Sequence, residues 1–146
     1  MGNITAYVDG LCEPKNPGGV ASYGFAIYSD HMKLTEKAGV VGKGSAMSNN
    51  VAEYAALCEA LEWLLNQGLQ NNEIVVKSDS RLLVNQMNGK WRLHKGLYAN
   101  KFLEARKLAL SFERISFLWI SREENTEADG LTRKAYQEYC KAECSR

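Results

Sequence analysis

The sequence predicts an α/β domain built on a mixed sheet with helices on both faces. In the first fifty residues, apolar and polar side chains alternate with the period of two that is typical of strands. Turns rich in glycine or proline separate these predicted strands. Residues 50–67 change to the helical period of 3.6. Two later apolar runs are each followed by a helical pattern, which gives the order βββαβααβα. We therefore expect five strands, the first three antiparallel.

Each element follows from its local pattern. In residues 3–11, Ile4, Ala6 and Val8 alternate with Thr5 and more polar positions, and residues 13–19 hold both prolines in a turn. The remaining elements are strands at 21–28, 34–42, 73–77 and 114–120, with helices at 50–67, 81–87, 96–111 and from 125 into the low 140s. Residues 1–146 are expected to form a single domain, with 137–146 as a C-terminal tail.

Composition allows one core and favours no membrane partner. With 146 residues, 45% of them hydrophobic and 24% charged, the chain can fold without disulfides or a structural metal. No apolar run approaches the roughly 20 residues of a membrane span, so we expect a cytoplasmic protein. We also expect it to be a monomer. The net charge of +1 does not indicate nucleic acid, but residues 90–107 are strongly basic. That run fits either phosphate contacts or a solvated helix face.

The four cysteines leave two alternatives open. No Cys-x-x-Cys pair is present, which disfavours a zinc site. Cys58 lies at the flank of the apolar arc of the central helix. A terminal helix packed beside it would bring Cys144, or less favourably Cys140, within the roughly 4.4–6.8 Å that a disulfide requires. Otherwise all four are buried or inert thiols.

Four carboxylates occupy unusual positions. Asp9 lies in a strand, Glu53 lies at the edge of a helix's apolar arc, Asp79 follows a strand, and Asp129 begins the last helix. Each has an ordinary alternative as a turn residue, helix-edge residue or cap. The predicted topology makes their elements neighbours, however, and hard oxygen ligands on several elements are what two Mg²⁺ ions about 3.5–4 Å apart require.

The segments that carry these acids also match a known pattern. They are Tyr7-Val8-Asp9-Gly10, Ser48-Asn49-Asn50-Val51-Ala52-Glu53, Lys77-Ser78-Asp79-Ser80 and Asn125-x-x-Ala128-Asp129-x-Leu131. In order and spacing they resemble the motifs of type 1 ribonuclease H, most closely the short archaeal-type members. The resemblance covers residues 3–136 and implies the ribonuclease H-like fold.

The resemblance also implies an activity and a set of site residues. It implies hydrolysis of the RNA strand of an RNA/DNA hybrid, with double-stranded RNA as a further substrate and 5′-phosphate and 3′-hydroxyl products. Asp9, Glu53, Asp79 and Asp129 would hold two Mg²⁺ ions, with Mn²⁺ as a substitute. Substrate contacts are expected from Gly10, Asn16, Ser48, Asn49, Asn50 and Gln86, and phosphate contacts from Lys90, Trp91 and Lys95.

Two departures from the family pattern concern loops. Many members place a histidine before the fourth acid, where Arg122 stands here. We expect Arg122 among the catalytic residues, near Asp129, either holding phosphate or orienting that acid. The alternative is a surface arginine paired with Glu123 or Glu124. The segment 89–96 is also shorter than the basic protrusion of larger bacterial members.

Three other functions compete with this reading. A transposase or junction-resolvase domain would share the fold, but such proteins usually carry extra DNA-binding segments. A non-catalytic module could bind hybrids, although clustered acids are costly without a cation. An acidic metal protein without a nucleic-acid partner would leave Asn49, Asn50 and the basic run unexplained.

Overall fold

The computed structural model of the protein describes residues 3–144. Five strands form one sheet in the order β3-β2-β1-β4-β5. The strands are β1 Asn3–Glu13, β2 Val20–Ser29, β3 Met32–Lys43, β4 Glu73–Ser78 and β5 Arg114–Trp119. The first three are antiparallel to one another, whereas β4 runs parallel to β1 and β5 parallel to β4. The predicted fold class, a mixed sheet with the first three strands antiparallel, is confirmed.

The helices cover both faces of this sheet. They are α1 Asn49–Asn66, α2 Arg81–Met87, α3 Ala99–Ala109 and α4 Thr126–Cys144, with a short 3₁₀ turn at Arg122–Glu124. On one face, α1 packs on the apolar side chains of β1 and β2, and α3 packs against α1. The two strands contribute Ile4, Ala6, Val8, Phe25 and Ile27 to this core.

Helix α4 covers the opposite face. A Cβ atom added to Gly24 of β2 would lie 2.7 Å from the carbonyl oxygen of Ala128 and 2.8 Å from the Thr132 nitrogen. Glycine at this position therefore lets α4 approach the strand backbone. Ser22 fixes the same contact, because its hydroxyl lies 2.7 Å from the Thr132 hydroxyl.

Of the two alternatives for the cysteines, the structure has free thiols and not the Cys58–Cys144 disulfide. Cys58, Cys140 and Cys144 are free thiols. Cys58 belongs to α1, and its Sγ lies 3.6 Å from the Lys101 carbonyl oxygen on the α3 side. Both other cysteines lie on α4, so the sheet separates them from Cys58. Residues 137–144, predicted as a tail, continue α4 as helix.

No helix among residues 3–144 combines the length and the apolar character that crossing a bilayer requires. Helix α3 begins at Ala99, three residues later than predicted. The segment 88–98 before it has no regular secondary structure beyond turns. The first part of the basic run, residues 90–95, thus lies on an exposed connection between α2 and α3.

Candidate metal centre

Three of the four predicted acids meet at one point. Asp9, Glu53 and Asp79 each place a carboxylate oxygen so that all three oxygens lie within 4.8 Å of one another. Asp9 is 6% exposed and Glu53 is 8% exposed. They come from β1, α1 and the end of β4, which the fold brings together although they are far apart in sequence. Buried carboxylates this close together require a cation or protons.

Gly10 makes this convergence possible. A Cβ atom on Gly10 would lie 2.4 Å from the Ala52 carbonyl carbon and 2.5 Å from the Glu53 nitrogen. Both neighbours are backbone atoms that cannot rotate away. The absence of a side chain therefore brings β1 against the first turns of α1 and places Glu53 beside Asp9.

Asp79 is free to serve the cluster because another residue caps the following helix. The Ser80 hydroxyl accepts a 3.1 Å hydrogen bond from the Leu83 N–H at the start of α2. Trp119 donates from Nε1 to the Asp79 carbonyl oxygen at 3.1 Å and fixes the backbone there. Of the caps that the sequence allows, the structure thus selects Ser80.

Burial and mutual repulsion shape the ionisation of the three acids. Burial, followed by the charges of Asp79 and Glu53, raises the pKa of Asp9 to about 8. Burial and the Asp79 charge raise the pKa of Glu53 to about 8, opposed by the Ser80 hydroxyl and by Arg122. Burial also raises the pKa of Asp79, against the Arg122 charge and a hydrogen bond from Asn125. Such raised values are typical of functional sites.

The cluster fits a hard divalent cation. Carboxylate oxygens are the ligands that Mg²⁺ and Mn²⁺ prefer in proteins. A bound cation would supply the positive charge that these buried groups lack and would keep them ionised at neutral pH. The donor set thus agrees with the predicted metal.

Asp129 lies at the same cleft but outside the three-acid cluster. A cleft of about 340 Å³ is lined by all four acids together with Arg122 and Arg133. Asp129 is bound by Arg133, whose Nε lies 3.0 and 3.2 Å from its two carboxylate oxygens. The sequence analysis did not consider Arg133, although its position one turn after an acid on a helix was a visible signal.

Arg122 contributes charge to the cluster. Its positive charge lowers the pKa of both Glu53 and Asp79. None of the ion pairs within residues 3–144 joins Arg122 to Glu123 or Glu124. Placement in the cleft agrees with the predicted position, whereas its role stays a prediction.

Asn125 is a second residue that the sequence analysis left without a role. Its side chain is 1% exposed and donates a 2.9 Å hydrogen bond to the Val8 carbonyl oxygen. The Asn125 carbonyl oxygen accepts from the Asp129 N–H at 3.1 Å. The residue thus joins β1 to the first turn of the helix that carries the fourth acid.

Two of the predicted substrate residues form one rim of the cleft. The side-chain amide nitrogen of Asn16 donates to the Asn49 side-chain oxygen at 2.8 Å, and the Asn49 N–H donates to the Asn16 side chain at 3.0 Å. Gly10, Asn16 and Asn49 all line the cleft. Ser48 instead caps α1, accepting from the Val51 N–H at 3.2 Å. Asn50 follows in the first turn, half-buried.

The predicted substrate contact of Gln86 is wrong. It is 3% exposed, and its amide nitrogen donates to the Arg92 carbonyl oxygen and to the Tyr98 hydroxyl, both at 3.0 Å. Its oxygen accepts from the Tyr54 hydroxyl at 2.7 Å. These bonds leave no exposed amide for a substrate, so Gln86 is an internal support of the 88–98 loop. Lys90, Trp91 and Lys95 lie exposed on that loop, outside the acid-lined cleft.

Comparison with known proteins identifies the relatives of this chain. The model of the family described as "Reverse transcriptase-like" matches residues 9–135. The bifunctional protein Rv2228c of Mycobacterium tuberculosis is 36% identical over 122 residues, which are 82% of this chain and 32% of that protein. Ribonuclease HI of Halobacterium salinarum is 31% identical over 134 residues, covering 92% of this chain and 64% of that protein. The chain therefore spans about a third of the first of these relatives.

Solved structures indicate the same relatives as the sequence comparison does. The N-terminal ribonuclease H domain of Rv2228c superposes with a TM-score of 0.86 at 32% identity, covering 97% of this chain and 99% of that one. LC11-RNase H1, solved in complex with an RNA/DNA hybrid, gives a TM-score of 0.83 at 31% identity, covering 94% and 99%. These likenesses, with the sheet order and the acid cluster, define the class as the ribonuclease H fold. The chain belongs to the type 1 ribonuclease H family.

Proposed function

We propose that the protein is an endoribonuclease that hydrolyses the RNA strand of RNA/DNA hybrids and leaves 5′-phosphate and 3′-hydroxyl ends. The observation that carries this proposal is the cluster of Asp9, Glu53 and Asp79, whose oxygens lie within 4.8 Å of one another in a cleft open to solvent. Membership of the family supports the substrate class. LC11-RNase H1, one of the similar structures, was solved with such a hybrid.

The acids of the cleft would hold the metal. Asp9, Glu53 and Asp79 supply oxygens from three elements, and Asp129 supplies a fourth once it leaves Arg133. Two Mg²⁺ ions held there, or Mn²⁺ in their place, would supply the activation of a water molecule and the stabilisation of charge on the leaving 3′ oxygen. Arg122, which lines the cleft, would hold a phosphate oxygen through its guanidinium.

The rim residues would select the RNA strand. Asn16 and Asn49 hold each other at the edge of the cleft, so their amide groups are already oriented when a duplex arrives. A ribose 2′-hydroxyl is both donor and acceptor, and a side-chain amide can satisfy it in either sense. This contact distinguishes RNA from DNA without reading the base sequence.

The exposed loop between α2 and α3 would hold the rest of the duplex. Lys90 and Lys95 are basic, and Trp91 is 47% exposed, which suits a phosphate-tracking surface with an aromatic platform. Since all four acids come from one chain, we expect the monomer to be active. Double-stranded RNA shares the A-like groove shape, so we expect slower cleavage of it.

A cleavage assay tests the proposal directly. Labelled RNA/DNA, RNA/RNA and DNA/DNA duplexes are incubated with Mg²⁺, Mn²⁺ or EDTA, and product ends are mapped on a gel. We expect cleavage of the hybrid RNA strand with either metal and none in EDTA. Asp9→Asn should retain hybrid binding while losing cleavage. Hybrid binding without cleavage by the unsubstituted protein would instead support the non-catalytic module.

A further inference from the structure

The ion pair between Arg133 and Asp129 lies at the cleft that the other acids form. Both residues belong to α4, one turn apart, and the Arg133 Nε lies 3.2 and 3.0 Å from the two Asp129 oxygens. The Arg133 Nε–H therefore engages both Asp129 oxygens and holds a positive charge beside the carboxylate that a metal would need. Asp129 is correspondingly absent from the set of acids whose oxygens lie within 4.8 Å of one another.

Arg133 also faces the other anionic groups of the cleft. The charges of Asp129, Glu13 and Asp9 all act on its guanidinium. A divalent cation that entered the cleft would meet this positive charge at the fourth ligand. The metal and Arg133 would therefore compete for the same carboxylate.

The pair is exposed enough to exchange. The side chains of Arg133 and Asp129 are 54% and 29% exposed. Ion pairs on a protein surface are weak, so replacing one partner with a divalent cation is readily reversible. A freed Arg133 would remain at the cleft, where a guanidinium binds phosphate well.

We propose that Arg133 withholds Asp129 from the metal-free cluster, releases it to an incoming divalent cation, and then binds a substrate phosphate through its guanidinium. This inference rests on the proposed function for its second step only. The first step concerns metal binding by the free protein. Under this proposal, metal binding and phosphate binding support each other. The metal frees the Arg133 guanidinium for the phosphate, and the phosphate frees the Asp129 carboxylate for the metal.

Metal titration without substrate tests the first step. Mn²⁺ is titrated by calorimetry into the full chain and into Arg133→Gln, Arg133→Lys and Lys134→Gln. Lys134 is the matched control, since it is the next residue on α4, is exposed and contributes to a different surface beside Lys37. We expect Arg133→Gln to bind Mn²⁺ about two- to fivefold more tightly than the unsubstituted chain, the range that loss of an exposed ion pair allows.

The Mn²⁺ affinity of Arg133→Lys should lie between those of the unsubstituted chain and Arg133→Gln, because lysine keeps the charge but loses the fixed Nε geometry. Lys134→Gln should leave the affinity unchanged. Equal affinities of Arg133→Gln and Lys134→Gln for Mn²⁺ would overturn the competition. Neither result requires catalysis, so the titration decides this step even if the protein cleaves no hybrid.

Hybrid binding tests the second step. Affinity is measured with Ca²⁺, an oxygen-liganded cation, in place of Mg²⁺, and again in EDTA. We expect Arg133→Gln to weaken binding in Ca²⁺ by several-fold and to flatten the salt dependence by about one unit of log slope, with little change in EDTA. An equal loss of hybrid affinity in EDTA, or no loss in Ca²⁺, would overturn the proposal that Arg133 binds a substrate phosphate after it releases Asp129.

Discussion

The side chain of Asn125 donates a 2.9 Å hydrogen bond to the carbonyl oxygen of Val8, which fixes the beginning of α4 on the central strand. Val8 is adjacent to Asp9, and the Asn125 carbonyl oxygen accepts from the Asp129 N–H. One buried amide thereby couples the strand of the first acid to the helix of the fourth. The sequence separation of 117 residues hides this relationship from any local pattern.

Asn125→Ala should destabilise the protein by about 1–3 kcal/mol, because it leaves the Val8 carbonyl oxygen buried without its donor. Cleavage should fall as well, since α4 loses its attachment beside the cluster. Thermal and urea denaturation measure the first effect. Asn66→Ala is the control, as Asn66 is exposed at the end of α1, and a loss there as large as at Asn125 would contradict the explanation.

Stability of the metal-free protein should fall as pH rises from about 4 to about 8. The pKa of Asp9 rises from 3.8 to about 8 on folding and that of Glu53 from 4.5 to about 8. The folded state therefore holds more protons than the unfolded state across this window, and stability present at low pH is lost as the folded groups ionise. Melting temperature against pH in EDTA is the measurement.

Asp9→Asn should flatten that pH profile and raise the melting temperature near pH 8, because one of the two groups no longer ionises. Mg²⁺ should also reduce the slope for the unsubstituted protein. Glu138→Gln, an exposed change on α4, should leave the profile as it is. Parallel profiles for Asp9→Asn and the unsubstituted protein would show that burial does not perturb Asp9 as described.

Gly10→Ala should destabilise the protein by at least about 1–3 kcal/mol, since overpacking against fixed backbone forces β1 and α1 apart. The added Cβ would lie 2.4 Å from the Ala52 carbonyl carbon. Gly130→Ala is the matched control: Gly130 lies inside α4, and among residues 3–144 no atom outside its chain neighbours and the nearby helix backbone lies within 4 Å of its Cβ position. That change should stabilise by up to about 1 kcal/mol. Equal denaturation midpoints for the two variants would refute the steric argument.

Arg122→Ala should lower the cleavage rate by roughly 10–100-fold, the loss expected for one charge-assisted contact, and by less than Asp9→Asn does. Steady-state kinetics on the hybrid provide the comparison. Arg114→Ala serves as control, because Arg114 begins β5, at the opposite end of that strand from the Arg122 loop, and its guanidinium lies 3.5 Å from the Asn71 carbonyl oxygen. Unchanged kinetics in Arg122→Ala would show that Arg122 is a surface arginine without a role in cleavage, the alternative that the sequence also allowed.

Replacing Lys90 and Lys95 together with glutamine should weaken hybrid binding equally for all sequences and reduce the salt slope by about two units. Both lie exposed on the loop between α2 and α3. The double variant Lys37→Gln, Lys134→Gln removes the same charge from the surface around α4 and β3. Identical salt slopes in the two double variants would show that the loop is a solvated surface without phosphate contacts.

The sequence alone predicted the element order, the antiparallel arrangement of the first three strands and four site acids, of which three form the cluster. Hydrophobic period is a local property, so α1 and the three antiparallel strands were visible without coordinates. The acids were visible for a related reason: Asp9 and Asp79 interrupt patterns in which a carboxylate has little structural use. Their convergence then followed from which strands are neighbours.

Only the tertiary structure decided how side chains are used once the elements pack. Gln86 has the chemistry of a substrate contact, yet packing of the 88–98 loop encloses it and occupies its amide. Cys58 and Cys144 have compatible chemistry, yet α1 and α4 lie on opposite faces of the sheet. Burial and partner choice are set by contacts between distant segments, which local periodicity does not encode.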